Sequence, residues 1–391
     1  MMALRFALLT GLLLASAAAA GAEDVGAAVP APAKPLAEVL SARDRLQMES
    51  AVDRALVWIA SQQADDGSFP TLPAAQPAVT SLCVLAFLSC GHQPGLGPYG
   101  AKMEKAIDFV ISCQRPDGLF SFDQPQPVHV DWNTSHTAVY NHAIAGLMLG
   151  EVYGHVGGVR AKAVKNAMEK ALQFTRDLQT RPKALPGDVG GWRYLRLRFD
   201  SRTADSDLSV TAWQLMFLRS ARNAEFNVPQ KYIDDALDFV RRCWNENEGV
   251  FYYCIDGNGP GDIRTGRTMV AAGIVSLALA GQHQTPIELA AGDWLREHPF
   301  RGFGDRFGMA DRFFYGAYYC SQAAAQLGGR YWEAIYPSLA ESVLSGQSPD
   351  GSWRAEIENS GRDVRFGNVY TSALAVLALT PVYQLFPVYQ R

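Results

Sequence analysis

The chain has 391 residues, 48% of them hydrophobic and 19% charged, and its formal net charge at pH 7 is −4. This is the composition of a globular protein with enough apolar residues for a large core. The chain has no basic run that would attract a phosphate backbone, so we exclude nucleic acid as a partner.

The first 22 residues have the three parts of a secretory signal peptide: Arg5, an apolar stretch over residues 6–14, and a run of small residues over 15–22. We place the cleavage between residues 18 and 22. The alternative is an uncleaved anchor, although the apolar stretch is short for a membrane span. No later stretch is expected to be a stable span in the mature chain. The sequence therefore predicts export to the periplasm or the extracellular space.

Residues 23–45 are rich in proline and alanine, and we interpret them as a flexible tether before a domain at 46–391. The domain and its flanks contain six cysteines, and none of them forms a C-x-x-C pair. An exported protein permits disulfides, but a large core does not need them. We favour buried free thiols, with Cys243 and Cys254 as the alternative disulfide pair.

A turn sequence recurs along the domain. It is Gln347-Ser-Pro-Asp-Gly-Ser-Trp353 near the end, Gln63 to Phe69 near the start, and Gln114 to Phe120 in the next unit. Pro-Asp-Gly favours a tight turn because proline fixes φ and glycine accepts conformations that other residues resist. The first two copies each follow an aromatic-aliphatic pair at the same distance, Trp58-Ile59 and Phe109-Val110. This spacing predicts a repeat protein.

Six units align on the residue that occupies the aromatic position before each turn, and each unit pairs two kinds of helix. The first helix is amphipathic, and the second is apolar nearly all round, which is typical of a helix buried on every side. The predicted inner helices are 79–90, 137–153, 207–221, 268–280, 313–327 and 369–379. An open solenoid would need polar terminal caps, but the last inner helix is as apolar as the others. We therefore predict an all-α fold, a single (α/α)6 toroid of six helical hairpins.

The pattern aromatic-aliphatic-x3-Gln-x3-Gly-x-aromatic resembles the QW repeat of terpenoid cyclases, and the same toroid is used by protein prenyltransferase β subunits. The resemblance covers roughly residues 48–383, with an insertion before Gly190-Gly191-Trp192. The segments 318–332 and 369–374 are also similar to exported bacterial proteins with prenyltransferase and squalene-oxidase repeats. This resemblance implies the fold, but it does not fix the function, because such toroids include enzymes and non-enzymes.

In a closed ring the inner helices begin at one end, which we call the mouth, and their free N–H groups and positive dipole ends face it. Ala204-Asp205-Ser-Asp207-Leu208 resembles the acidic Asp-x-Asp-Asp-Thr motif of class II terpenoid cyclases, with Leu208 in place of the third Asp. The resemblance implies that Asp205 and Asp207 form a catalytic pair with a raised pKa that keeps one acid protonated. The alternative is that Asp207 caps its helix.

We predict no metal and no cofactor. Asp207-Leu-Ser209 resembles the zinc-binding Asp-x-Cys element of prenyltransferases, but Ser209 replaces the thiolate, and no downstream inner helix supplies a histidine. The thioester loop of complement-like toroids is missing, and the chain contains no P-loop, Rossmann fingerprint, Gly-x-Ser-x-Gly or His-Glu-x-x-His motif.

His142 is a third catalytic candidate at the start of an inner helix, the alternative being a core histidine. Arg267 is the expected cation of the mouth, with Asp205 or Asp207 as its alternative partner. Aromatic side chains with polar groups suit the wall of an apolar pocket. The predicted ligand-binding residues are Tyr140, Trp213, Arg267, Tyr315, Tyr319 and Tyr370.

We expect an exported toroid that binds an apolar or isoprenoid-like ligand, or a protein partner, through its central cavity or its mouth. One alternative is a terpenoid-cyclase-like enzyme that uses an Asp205/Asp207 acid on an isoprenoid or lipid. Another is a polysaccharide-active toroid enzyme, which paired carboxylates and aromatic residues would also suit.

Overall fold

A computed structural model describes residues 36–126, 133–195, 204–255, 265–307, 311–355, 361–383 and 385–390. All of them belong to one compact unit, Ala33–Arg391. The predicted signal peptide, residues 1–22, lies outside the described residues.

The described residues form twelve α-helices that alternate between two layers. The outer helices are α1 (Ala42–Ser61), α3 (Gly100–Ser112), α5 (Gly158–Gln179), α7 (Gln230–Arg242), α9 (Pro286–Glu297) and α11 (Gly329–Leu344). The inner helices are α2 (Ala78–Ser89), α4 (Thr134–Tyr153), α6 (Leu208–Asn223), α8 (Arg267–Leu279), α10 (Phe313–Leu327) and α12 (Gly367–Leu379).

Besides two isolated antiparallel bridges, Gln114 to Phe120 and Gln347 to Trp353, the described extended structure is one small hairpin. Its strands, β1 (Trp244–Asn245) and β2 (Val250–Phe251), pair antiparallel with Trp244 opposite Phe251. Short 3-10 helices lie at Leu36–Glu38, Pro73–Ala75, Pro186–Asp188, Gly361–Phe366, Pro381–Tyr383 and Pro387–Tyr389. The predicted all-α class is confirmed.

The inner helices form a closed ring. Each packs against the two inner helices beside it, and α12 packs back against α2. In the outer layer, α1 contacts α11, so the last unit also meets the first there. These contacts confirm the predicted toroid rather than an open solenoid.

Burial separates the two layers as the hydrophobic pattern predicts. Every residue of α2 and of α8 is buried. In contrast, α7 buries one face only, consisting of Ile233, Ala236, Leu237, Phe239 and Val240. Burial of apolar side chains on all sides of the inner ring is therefore the main stabilising contribution to the fold.

The recurring glutamine explains how neighbouring units are joined. Gln63 Nε2 donates to the carbonyl of Gly67 in its own turn at 3.0 Å and to the carbonyl of Lys102 on α3 at 2.8 Å. The same two-way bridge joins Gln114 to Gly118 and Ala167, Gln179 to Gly190 and Tyr232, and Gln347 to Gly351 and Ala51. The Gln347 bridge reaches α1, so it helps to close the ring.

The turn glycines lie against the backbone of the next outer helix. Gly351 has φ +94°, and a Cβ there would lie 2.6 Å from the carbonyl oxygen of Arg54. The aromatic side chains that follow the turns, Phe69, Phe120, Trp192 and Trp353, are fully buried. Glycine is therefore required by both the left-handed conformation and the close approach.

The domain begins earlier in the chain than the sequence predicts. The helix α1 begins at Ala42, and the carbonyl of Leu36 accepts a hydrogen bond from Trp332 Nε1 at 3.1 Å, so part of the predicted tether 23–45 belongs to the domain. One helical stretch, Asp363–Tyr383, is long and apolar enough to cross a membrane by length and composition. Its most apolar window is 72% buried, as expected of a core helix.

The six cysteines are free thiols, and five of them are buried.

Candidate functional site

The mouth is built from the amino ends of the inner helices and the residues just before them. Neighbouring ends are tied together by hydrogen bonds: Asn141 of α4 donates to the carbonyl of Ala74, which precedes α2, at 2.8 Å. Asp311, which precedes α10, accepts from the hydroxyl of Thr268 on α8 at 2.6 Å. These bonds fix the relative positions of the side chains that face the mouth.

A row of hydroxyl groups connects three inner helices at the mouth. Tyr140 Oη of α4 donates to Ser209 Oγ of α6 at 3.0 Å, and Ser209 Oγ lies 2.8 Å from Tyr315 Oη of α10. Tyr315 Oη also accepts from Trp213 Nε1 at 2.7 Å. Tyr140 and Tyr315 are half-buried, and burial raises the pKa of Tyr315 to about 12. Its hydroxyl therefore keeps its proton at neutral pH.

Aromatic side chains fill the ring beneath this row. Trp213 stacks on Tyr318 at a centroid distance of 5.4 Å and meets Tyr319 edge-on at 5.8 Å. Tyr318 Oη in turn bonds to Tyr389 Oη at 2.6 Å. Trp213 and Tyr319, both predicted to bind a ligand, are 1% and 0% exposed, so they form the floor of the site. The partly exposed members of this aromatic group are Tyr140 and Tyr315, at the amino ends of their helices.

Asp207 lies at the mouth in the role of a helix cap. Its Oδ1 accepts from the amide of Val210 at 2.8 Å, and its Oδ2 lies 3.6 Å from Arg193 Nε. The Arg193 guanidinium also lies over the rings of Tyr194 and Tyr253, at 5.3 and 5.5 Å. Asp207 is 0% exposed. These contacts agree with the alternative interpretation, in which Asp207 caps the amino end of α6.

Asp205 makes contacts with a different set of residues. Its Oδ2 accepts from the amide of Ala184 at 2.9 Å, and its own amide donates to Asp188 Oδ2 at 2.6 Å. Burial raises the pKa of Asp188 to about 6, and burial lowers the pKa of the adjacent Lys183 to about 8. The acidic residue in contact with Asp205 is thus Asp188. These contacts do not include the predicted pair of Asp205 with Asp207.

His142 holds a turn in place. Its Nδ1 accepts from the amide of Phe120 at 3.2 Å, and its Nε2 lies 2.9 Å from Thr175 Oγ1. In three other units the amide of the aromatic residue after the turn donates to a hydroxyl on the inner helix instead. The hydroxyls that replace His142 Nδ1 there belong to Thr80, Thr211 and Ser372. Burial lowers the pKa of His142 to about 3. Both ring nitrogens are therefore occupied by structural contacts away from the row of hydroxyls.

Arg267 is buried and forms ion pairs, but with other carboxylates than those predicted. Its Nε lies 3.1 Å from Asp311 Oδ2, and its Nη1 lies 3.0 Å from Asp305 Oδ2. The guanidinium also lies 4.1 Å from the ring centroid of Phe300. The expected partners Asp205 and Asp207 have other contacts, so we correct this prediction: Arg267 stabilises the segment before α10.

A described cation that lies beside Tyr315 is Arg312, which the sequence patterns did not single out. Arg312 Nη1 lies 3.5 Å from Asp363 Oδ1, and its guanidinium is 6.0 Å from the ring centroid of Tyr315. Tyr370 also lies beside Asp363 and Arg312, and burial raises the pKa of Tyr370 far above its usual value. Asp363 is 0% exposed, and burial raises its pKa to about 7. No motif marks either Arg312 or Asp363 in the sequence.

The sequence model of one protein family, the prenyltransferase alpha-alpha toroid domain, matches residues 36–185 and 272–385 of this chain. No curated protein matches the chain.

Several solved structures share the fold. A type II terpene cyclase from Scytonema, in complex with geranylgeranyl dihydroxybenzoate, is 14% identical with a TM-score of 0.57, over 88% of this chain and 100% of that one. An α-1,6-mannanase of Salegentibacter is 10% identical with a TM-score of 0.59, over 86% and 99%. A D-mannose isomerase is 14% identical with a TM-score of 0.59, over 88% and 99%. Identities this low show a shared fold alone.

Proposed function

The chain belongs to the prenyltransferase alpha-alpha toroid domain family, and from this premise we propose that it is an exported binding protein. Its ligand is an amphipathic small molecule with an apolar, isoprenoid-like body, held at the mouth. The observation that carries the proposal is the row of hydroxyls from Tyr140 through Ser209 to Tyr315, which connects three inner helices.

The row suits a ligand with two kinds of surface. The half-buried rings of Tyr140 and Tyr315 offer aromatic faces to an apolar body, and their hydroxyls can bond to a polar end. The row is already bonded to Trp213. Because these side chains are held in place before a ligand arrives, little conformational entropy is lost on binding.

We favour binding over catalysis because the predicted acids, Asp205 and Asp207, are held by structural contacts. Asp207 caps α6 and lies beside Arg193, and Asp205 bonds to the backbone of Ala184. Two described carboxyl groups beside the tyrosines, Asp207 near Tyr140 and Asp363 near Tyr370, are both 0% exposed. Neither is accessible to a glycosidic bond or an alkene without a rearrangement, which weakens the terpenoid-cyclase and polysaccharide alternatives.

The test is native mass spectrometry of the mature protein purified from its own host, followed by solvent extraction of bound molecules. The wild-type protein is expected to carry one small amphipathic molecule per chain. Tyr140→Phe removes a hydroxyl that would bond to the polar end of the ligand, and loss of that hydrogen bond, worth about 1 kcal/mol, lowers affinity roughly fivefold. The matched control is Tyr153→Phe, at the opposite end of the same helix, which is expected to keep wild-type occupancy.

A protein that is empty and co-purifies with another polypeptide would contradict the proposal and move the function to the surface. Equal loss of the ligand in Tyr140→Phe and Tyr153→Phe would place the ligand elsewhere than the mouth.

A further inference from the structure

A short segment that follows the last inner helix, residues 385–390, is bound to the carboxyl ends of its neighbours in the ring. Asn223, the last residue of α6, donates from Nδ2 to the carbonyl of Pro387 at 2.9 Å. Gln326, at the end of α10, donates from Nε2 to the carbonyl of Tyr389 at 2.7 Å. We call residues 385–390 the strap, and it lies at the end of the ring opposite the mouth.

The side chain of Tyr389 connects the strap to the interior of the ring. Its Oη lies 2.6 Å from Tyr318 Oη and 3.2 Å from Met216 Sδ. Tyr318 is the ring that stacks on Trp213 in the floor of the site. The strap therefore covers the aromatic floor from the side that faces away from the mouth.

A buried carboxyl group, that of Glu151, lies under the strap. Glu151 belongs to the last turn of α4 and is 6% exposed. Its Oε1 accepts from Ser220 Oγ of α6 at 2.6 Å, whereas its Oε2 is buried and accepts no hydrogen bond of ordinary geometry. The backbone amide of Val388, which is 1% exposed, faces the same carboxyl group. Glu151 is thus the contact between α4 and the strap.

The surroundings of Glu151 disfavour a negative charge. In the part of the chain that the structure describes, Glu151 forms no ion pair. Glu151 and Ser220 both lie in the last turns of their helices, where the helix dipoles are negative. Because a buried charge without a counterion is costly, the carboxyl group under the strap keeps its proton.

The ionisable groups around Glu151 do not compensate for this cost. Tyr318 of α10 and Tyr389 of the strap face it, and burial raises the pKa of both hydroxyls, so they stay neutral. Arg219, the residue before Ser220 on α6, extends to the strap, where its Nη2 lies 3.5 Å from the carbonyl of Gln390. Burial raises the pKa of Glu151 to about 7, against the opposing effects of the Ser220 hydroxyl and the strap amide.

We propose that the strap is a pH-sensitive latch, which is held against α4 while Glu151 carries its proton and is released when Glu151 ionises. Release lets water reach the carboxylate and uncovers Tyr318 beneath the aromatic floor. The proton passes to solvent, and no bond other than the O–H bond of Glu151 breaks. The inference goes beyond the proposed binding function and does not depend on which ligand binds at the mouth.

The direction of the pH dependence follows from the two states of Glu151. In the released state its pKa is the ordinary 4.5, and in the latched state burial raises its pKa to about 7. Latching is therefore strongest below pH 4.5, weakens about tenfold for each pH unit up to pH 7, and changes little above that. Between pH 5 and pH 8 the latching constant is expected to fall about 70-fold.

The experiment is hydrogen exchange of the mature protein at pH 5 and at pH 8, read by peptide mass spectrometry and corrected for the intrinsic exchange rates. The amides of Tyr389 and Gln390 bond to carbonyls within the strap, those of Phe386 and Pro387. Their protection therefore reports the latched state. It is expected to fall about 70-fold from pH 5 to pH 8, while the protection of α12 stays the same.

Three variants separate the parts of the inference. Glu151→Gln cannot ionise, so protection of the strap is expected to be equal at the two pH values. The matched control is Glu333→Gln, an exposed position on α11, which is expected to keep the wild-type fall. Tyr389→Phe removes the bond to Tyr318, so it is expected to lower protection about fivefold at both pH values and to leave their ratio unchanged.

Equal protection of the wild-type strap at pH 5 and pH 8 would overturn the inference. A fall that persists in Glu151→Gln would overturn it as well, because another group would then release the strap. A loss of protection shared by α12 would show that the whole domain opens and that the strap is not a separate latch. None of these results bears on native mass spectrometry of a ligand at the mouth, so the proposed function is tested separately.

Discussion

Closure of the ring can be tested at Gly351, where the last turn meets α1. Gly351 has φ +94°, and a Cβ there would lie 2.6 Å from the carbonyl oxygen of Arg54, whereas ordinary contact begins at 3.4 Å. Gly351→Ala adds left-handed strain of about 1–2 kcal/mol and overpacking of about 1–3 kcal/mol. The turn must move away from α1, which weakens the two hydrogen bonds of Gln347 to Ala51 and to residue 351.

The matched control is Gly281→Ala. Gly281 also has a left-handed conformation, with φ +79°, but nothing lies within 4 Å of its Cβ position. This control isolates the strain, about 1–2 kcal/mol. Urea unfolding followed by circular dichroism should show that Gly351→Ala lowers the free energy of unfolding by about 2–5 kcal/mol, clearly more than the control does. Equal losses in the two variants would refute the claim that the last turn is packed directly against the first outer helix.

Two further predictions concern buried ionisable groups away from the mouth. The pKa of His142, lowered to about 3 in the folded protein, makes folding less favourable as the pH falls below 6.5; the stability advantage of wild type over His142→Asn, measured by urea unfolding, should therefore shrink by about 2 kcal/mol between pH 7 and pH 5. An advantage that is constant with pH would contradict this. Burial raises the pKa of Glu151 to about 7, so this group's contribution to stability is present below pH 4.5 and is lost as the pH rises to 7. Glu151→Gln should accordingly gain about 3 kcal/mol relative to wild type between pH 4.5 and pH 8, and an unchanged difference would show that folding does not raise the pKa of Glu151.

The fold was predictable because the signals that specify it are local and repeated. The predicted inner helix 313–327 coincides with α10, and the predicted 137–153 misses only the first three residues of α4. The insertion in the third unit hides the turn in the sequence, but Gln179 still bonds to Gly190 across it. A pattern of apolar residues and turn glycines is sufficient because the alternation of outer and inner helices repeats in all six units, and four of them share the glutamine bridge.

The site was less predictable because its members come from distant positions in the chain. Tyr140 and Tyr315 were expected at the mouth from their places at the starts of inner helices, and the structure brings them to the same serine. The sequence predicts His142 as a catalytic candidate, but other units have threonine or serine at its position. Aligning the units on the inner helices as well as on the turns would have revealed this.

Arg312 and Asp363 could not have been paired from the sequence. They are separated by a whole outer helix, α11, and neither belongs to a repeated pattern. The closed ring buries Asp363 and brings it within 3.5 Å of Arg312.

The measurement that tests the central claim most directly is hydroxyl-radical footprinting of the protein purified from its own host, before and after solvent extraction of its ligand, read by peptide mass spectrometry. Ligand binding at the mouth predicts that the reactivity of Tyr140 and Tyr315 increases after extraction, while that of Tyr153, at the far end of α4, stays the same. Unchanged reactivity at Tyr140 and Tyr315, or an increase at Tyr153 instead, would contradict a binding site at the mouth.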